Sequence, residues 1–432
     1  MKTFIALMTF MLGMSGLLLA QATPAATATG PVYNPGPSLP SIDGNFQYAL
    51  TAAEVVQFGY SGSSGNTYMT SFSGDAEYIS KNSQRPFNLL YAGGLLYSTY
   101  SGLGLSTFQT LTVSQGLVRG KWALGVSDSV SYLPQSPTTG LSGIPGVGDL
   151  GSQPLPDPQT PGQTILTNYA TRVSNYVSGN IERQLSPKTS LSGSGTYGIL
   201  KFLDGRYLSS TDISGQLGIN RRLDRRTGVS LTAVYSTFSY TNNSSSFNTR
   251  GLNVGYNRQL SKNLTFDASA GPQWVNSFQA LPQLTGETVA ITVPSRLTYS
   301  ANVGASYVHQ HTTGSLSYSR SINGGSGLLV GSQADQVSAQ ALRNWGRDWS
   351  ASASVGYART TPLASNGTVS SVFAGIQVSH RFSQNFSGYA SYTAIHQSTP
   401  AILAGQNAYS GLSHSLGFGI TFSPRSARLG QF

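Results

Sequence analysis

Between residues 412 and 422 the chain alternates without a break. Leu412, His414, Leu416, Phe418, Ile420 and Phe422 fall on one side, and Ser413, Ser415, Gly417, Gly419 and Thr421 on the other. A period of two is that of a β-strand, whose successive side chains point to opposite faces. The pattern therefore predicts a strand with one greasy face and one small, polar face. Upstream segments repeat it. Leu264, Phe266, Ala268, Ala270 and Trp274 oppose Thr265, Asp267, Ser269, Gly271 and Gln273. Leu297, Tyr299, Ala301, Val303, Ala305 and Tyr307 oppose Thr298, Ser300, Asn302, Gly304 and Ser306; Trp349, Ala351, Ala353, Val355 and Tyr357 oppose Ser350, Ser352, Ser354 and Gly356. In a soluble sandwich the outer face normally carries Lys and Glu, whereas here the polar face is uncharged apart from Asp267. The alternation favours a membrane barrel over a sandwich or a secreted β-solenoid.

A recurring turn gives the strand count. In each copy a basic residue precedes an apolar one by two places and a short polar turn follows: Arg183 with Leu185, Arg221 with Leu223, Arg258 with Leu260, Arg343 with Trp345, and His380 with Phe382. Neighbouring copies lie 37 or 38 residues apart, except between Arg258 and Arg343, where a tight turn at residues 309–313 supplies the missing one. That spacing is one hairpin out and back plus a loop. Short turns at 81–85 and 119–121 precede these. With a first strand at 46–60 and a closing strand at 412–422, the fold class is all-β: a transmembrane antiparallel up-and-down β-barrel of about 18 strands, with about 16 as the alternative. An even count places both barrel ends on the periplasmic side. The opposite strand ends are joined by longer connections rich in Ser, Gly, Asn and Pro at 241–246, 281–287, 322–331 and 399–410, which read as external loops.

Composition narrows the class. Charged residues are 9% of the chain, against about 25% in a soluble domain, while the 10% aromatic content, with 23 tyrosines, is too high for simple disorder. At the N-terminus, Lys2, an apolar run from Phe4 to Leu19 and the small-residue site Ala20-Gln21-Ala22 read as a cleaved secretory signal peptide, so the expected location is the Gram-negative outer membrane. No later stretch is apolar enough for a spanning helix, which leaves a closed barrel as the membrane-compatible solution. The expected organisation is a signal peptide at 1–22, a Pro/Ala-rich periplasmic lead at 23–45, the barrel at 46–423 and a C-terminal tail at 424–432. With no cysteine, disulfides, thiolate metal sites and a lipid-modified N-terminus are excluded. The net charge of +10 is spread over turns rather than gathered on one surface, so it does not signal nucleic-acid binding.

Strand parity puts the basic residue of each turn on the lipid-facing side. Arg183, Arg221, Arg258, Arg343 and His380 would lay their stems on apolar wall and reach inner-leaflet phosphates, and Trp122, Trp345 and Trp349 beside them would form an aromatic girdle. The expected partners are thus outer-membrane lipids.

At the C-terminus, Ser415, Gly417, Ile420 and Phe422 have the spacing of a polar residue, a glycine, an apolar residue and a closing aromatic. This resembles the terminal-strand signal read by the barrel assembly machinery in the porin-like superfamily of bacterial outer-membrane barrels. The resemblance covers 46–422 by pattern and topology, and it departs in a further ten residues ending at Phe432. If Phe422 is the residue read, those ten form a free periplasmic tail.

A barrel of this width cannot be filled by inward Ser, Thr, Gly, Asn and Gln, so a water-filled pore is expected. The longest connection, 133–165, follows the fifth strand. In the general and sugar-specific porins that the arrangement resembles, the third external loop occupies this place and narrows the channel. Their constriction sets an acidic loop against basic wall residues; this loop offers only Asp149 and Asp157. Asp75, Arg172, Asp267 and Arg296 are the candidate lumen charges. The function expected is a passive channel for small hydrophilic solutes. The alternative is an outer-membrane scaffold, a surface-interaction protein or the barrel of a polymer export system, and a homo-oligomer is compatible with either. Enzymatic constellations are poor. His309 and His311 lie two apart in a turn with no accompanying carboxylate, and His380 and His414 share the lipid-facing parity without a defined partner. No phosphate loop, metal motif or nucleophile elbow is present, so neither a cofactor nor an enzymatic activity is expected.

Overall fold

The computed structural model describes residues 44–59, 65–99, 104–134, 165, 170–241, 245–282, 288–363, 367–400, 408–424 and 427–429. Eighteen long strands follow one another in chain order. They are β1 (Gly44–Phe58), β2 (Thr67–Ser80), β3 (Phe87–Ser98), β4 (Leu105–Arg119), β5 (Trp122–Pro134) and β6 (Thr171–Ser186). Next come β7 (Thr189–Phe202), β8 (Ser210–Arg222), β9 (Thr227–Tyr240), β10 (Ser246–Gln259), β11 (Leu264–Pro282) and β12 (Thr288–His309). The last six are β13 (Thr312–Asn323), β14 (Ser332–Trp345), β15 (Trp349–Pro362), β16 (Val369–Arg381), β17 (Phe386–Ser398) and β18 (Gly411–Phe422).

Each strand pairs antiparallel with the next, and β1 pairs with β18 from Leu50 opposite Phe422 to Phe58 opposite His414. That last pairing closes the sheet. The fold class, the strand count and the eight short turns are those the alternation and turn spacing predict. The turn at 309–313 is made at Gln310 and His311, where Gln310 takes a φ of 41°, in the left-handed region.

The register assigns every side chain to a face. Outward positions carry the large exposed apolar residues, such as Leu50 and Phe72 on β1 and β2, Leu217 and Leu231 on β8 and β9, and Leu416, Phe418 and Ile420 on β18. Inward positions carry hydroxyls that bond one another across strands. Thr112 pairs with Ser129, Thr196 with Ser214, Ser236 with Thr249, and Ser317 with Ser338, at 2.6–3.0 Å. The closing seam does the same through Thr51 and Thr421 at 3.0 Å and Gln57 and Ser413 at 3.2 Å. A small hydroxyl is both donor and acceptor, so neighbouring strands satisfy each other without long side chains entering the lumen. Inward Gly271 serves a different need: a Cβ there would lie 1.7 Å from the carbonyl oxygen of Leu252.

The expectation of a free tail after Phe422 is corrected. A short strand β19 (Ala427–Leu429) pairs with Gly44–Phe46, the stretch of β1 that extends beyond the end of β18. The physical reason is the edge itself, because β1 begins below Phe422 and its unpaired backbone groups there recruit the next extended segment. The signal peptide and most of the lead (1–43) lie outside the described residues.

Truncation after Ser423 should therefore still yield an inserted barrel but lower its unfolding free energy by about 1–3 kcal/mol, from the lost ladder bonds. Urea titration of the refolded protein measures this, and an unchanged midpoint would show that β19 contributes nothing.

Candidate functional site: the lumen and its external mouth

The inner wall changes character along its height. Through its middle it is hydroxylated, but at the strand ends joined by the longer connections, called the external ends, the inward positions of β7, β9, β10, β11 and β16 become apolar. Leu200 and Phe202 on β7, Phe238 and Tyr240 on β9, Phe247 on β10, Val275 on β11 and Val369 on β16 are all buried. They form two clusters with residues from the external connections.

In the first cluster, Leu200, Phe202 and Val369 join Tyr207 from the β7–β8 connection and Leu328 and Leu329 from the β13–β14 connection. Ile165 and Ala170 before β6 and Ala408 before β18 complete it. β7 and β16 stand half the ring apart. A single packed cluster holding side chains from both therefore bridges the lumen from wall to wall. In the second cluster, Phe238 stacks on Phe247 at 4.6 Å between ring centroids, and Tyr240, Val275, Leu208, Ile322, Val330 and Leu363 pack with them.

The β13–β14 connection is the centre of this closure. It begins with a single 3-10 turn, Gly325–Gly327, and Leu328 and Leu329 follow. Backbone and side-chain bonds tie it to the β7–β8 connection and to β9: Leu208 N–H donates to Gly327 O at 2.8 Å, and the Tyr240 hydroxyl donates to Gly324 O at 2.9 Å. Gly327 and Gly331 take φ values of 74° and 75°, and each lies against an aromatic ring, Phe202 and Phe247 respectively. A side chain at either position would be both strained and in collision, so glycine is what lets this loop lie against the inner wall.

The β7–β8 connection is braced by an exposed ion pair. Asp204 accepts from the Arg206 guanidinium (Nε at 2.8 Å) and from the Arg206 backbone N–H, which hold its carboxyl below the usual range. Tyr207, next to the exposed Arg206, stacks on Phe202 at 5.1 Å, and burial pushes its phenol up to about 12.

The lumen charges expected from the sequence are inward but dispersed. Asp75 is buried on β2, and Asp267 on β11 sits against Gly304 near the short-turn end. Arg296 on β12 is exposed opposite Val275 towards the external end. Arg172 on β6 stands directly across from Phe202, just beneath the apolar closure. Tyr176 shares its inward face, and the Tyr176 hydroxyl donates to Asp212 on β8 at 3.2 Å. In this Arg172, Tyr176 and Asp212 group the structure adds an acid to a candidate lumen cation, and parity on β8 would have found Asp212. Asp149 and Asp157 lie outside the described residues; Ile165, at the end of the same connection, is fully buried in the mouth.

At the rim of short turns Arg183, Arg221, Arg258, Arg343 and His380 all face outward. The Arg183 guanidinium lies 4.9 Å from the Trp122 ring, Arg343 lies 5.6 Å from Trp345, and His380 packs 4.2 Å from Trp349. Ser415 and Gly417 face inward, and Ile420 and Phe422 face outward beside Gly388 and Phe386 on β17. His309 accepts or donates a bond with the Asn263 side chain at 2.7 Å, and His414 does so with the Tyr392 hydroxyl at 2.7 Å.

No family model matches this chain, and no curated protein matches its sequence. Among solved structures it is similar to Pseudomonas aeruginosa OpdQ, at 10% identity over 88% of this chain and 98% of that one, with a TM-score of 0.43. Acinetobacter baumannii OccAB3 is similar at 12% identity over 88% and 99%, with a TM-score of 0.42. The ferric-catecholate import receptor Fiu of Escherichia coli is similar at 8% identity over 89% and 82%, with a TM-score of 0.44.

Replacing Leu328 and Leu329 together by serine should loosen the closure while leaving the barrel wall intact. The expected result in planar bilayers is a single-channel conductance at least several-fold above wild type. Equal conductance of the two proteins would show that this loop does not limit the pore.

Proposed function

We propose that the protein is a passive outer-membrane channel for small hydrophilic solutes, with its external mouth narrowed by its own loops. The observation that carries this reading is the division of the closed wall into an apolar outer face and a hydroxyl-lined inner face. Such a wall separates lipid from a polar interior that short side chains cannot fill. Solutes would meet two layers in turn: the apolar closure, then the Arg172, Tyr176 and Asp212 group beneath it. Selection would rest on the width of the first and the sparse charge of the second.

The same reading assigns the remaining parts. Residues 1–22 direct export, the segment 23–45 is a periplasmic lead that runs into β1, and Ser415, Gly417, Ile420 and Phe422 are read by the assembly machinery. Arg183, Arg221, Arg258, Arg343 and His380, with Trp122, Trp345 and Trp349, seat the periplasmic rim among inner-leaflet headgroups.

A second reading, a surface-interaction barrel whose loops are the working part, draws support from the wall-to-wall cluster at the mouth. Reconstitution separates the two. The channel reading expects discrete ohmic steps for the wild type, and liposome swelling with small sugars that declines as the sugar grows. If a correctly folded, heat-modifiable barrel conducts neither as wild type nor with the mouth opened at Leu328 and Leu329, the channel reading fails.

A further inference from the structure

The outward face bears a second set of cations, at the opposite ends of the strands from the turn arginines. Lys201 on β7, Arg250 on β10, Arg320 on β13 and Arg359 on β15 all take outward positions near the external ends. On β10 the two sets are joined by one strand: outward Arg250 and Arg258 bracket Leu252, Val254 and Tyr256. On β14, outward Asp335 and Arg343 bracket Val337, Ala339 and Ala341. At a rise near 3.4 Å per residue and a tilt near 40°, such stretches span roughly 20 Å of membrane normal, close to the height of an apolar band. Both headgroup zones are thus marked on the wall by cations.

At β13–β15 these residues make a built site. The Arg320 guanidinium lies 4.2 Å from the centre of the Tyr299 ring and bonds Asp335 at 3.1 Å. Tyr318 donates its hydroxyl to the same Asp335 oxygen at 3.0 Å. Gln333, with its carbonyl oxygen turned towards Arg320, accepts from that guanidinium. A guanidinium carries five N–H groups, more than these contacts use, so they orient Arg320 and leave it donor capacity. Arg359 stands exposed in direct register with Asp335 on the next strand. Two cations against one carboxylate leave the site positive, and a planar guanidinium fixed by an aromatic ring suits a tetrahedral oxyanion.

We propose that Arg320 and Arg359, positioned by Tyr299, Gln333 and Asp335, bind a phosphate group of the phosphorylated glycolipid in the outer leaflet. The site faces hydrocarbon below and headgroups at its own height, so its ligand arrives anchored in the bilayer. The proposal uses a different rim from the turn arginines and does not depend on whether the lumen conducts.

The test measures thermal unfolding of the refolded full chain in neutral detergent micelles titrated with bisphosphorylated lipid A, or with the same lipid stripped of its phosphates. The expected result is a rise in the unfolding midpoint with the phosphorylated lipid only. Arg320→Gln and Asp335→Asn made together, which remove the ion pair without stranding either partner, combined with Arg359→Gln, should weaken the apparent affinity about tenfold or more. Arg359→Gln alone keeps the Arg320–Asp335 pair and should weaken it about threefold or more, which preserves the test if the triple variant fails to fold. Equal midpoints with the two lipids, or an Arg359→Gln protein that binds as wild type does, would overturn the proposal.

Discussion

Inside a hydrocarbon layer the backbone has no water to bond, so each N–H and C=O of a spanning segment must find a partner in the protein. In this chain the pairing of β1 with β18 meets that demand, because without it two full strand edges would face lipid. Everything else in the wall follows from closure. Once the sheet has no edge, the period of two fixes one face to lipid and one to the lumen, and the composition of each face is set by what lies on its side. The same demand explains β19, which continues the seam where β1 outruns β18.

The lumen solves a second problem with the opposite chemistry. A wall of long polar side chains would fill the interior, and a wall of apolar ones would collapse or dewet it. Serine and threonine pairs avoid both, since each hydroxyl is bonded by its neighbour across the strand. Against that background the apolar mouth is a local departure. Leu200, Phe202, Phe238, Phe247 and Val369 occupy positions whose parity predicts small polar residues, and the external connections descend to cover them. Burial of these side chains holds the loops in, and the glycines at 327 and 331 allow the loop backbone to come close enough.

Much of this was legible in the sequence. Alternation and the spacing of the turn arginines predict the ring of strands and the outward face of Arg183, Arg221, Arg258, Arg343 and His380, because a strand's side-chain period is independent of its neighbours. The closure of the mouth is not legible, although a trace is present: residues 199–202, Ile-Leu-Lys-Phe, abandon strict alternation where β7 nears its external end. That trace does not say what covers Leu200 and Phe202, since Leu328, Leu329 and Ala408 come from connections far along the chain. The role of Asp212 is hidden in the sequence for a related reason. Its parity is plain, but its pairing with Tyr176 depends on strand register between β6, β7 and β8.

The sequence by itself determined the local quantities: which residues are strand, which face each side chain takes, and where the chain turns. These follow from backbone geometry and need only near neighbours. The tertiary structure decided what joins distant segments. It brought β7 and β16 into one packed cluster, set Arg359 beside Asp335 and Arg320, and laid Ala427–Leu429 along the start of β1. Those contacts depend on ring size and register, which arise only when the whole sheet closes, so no short window of sequence contains them.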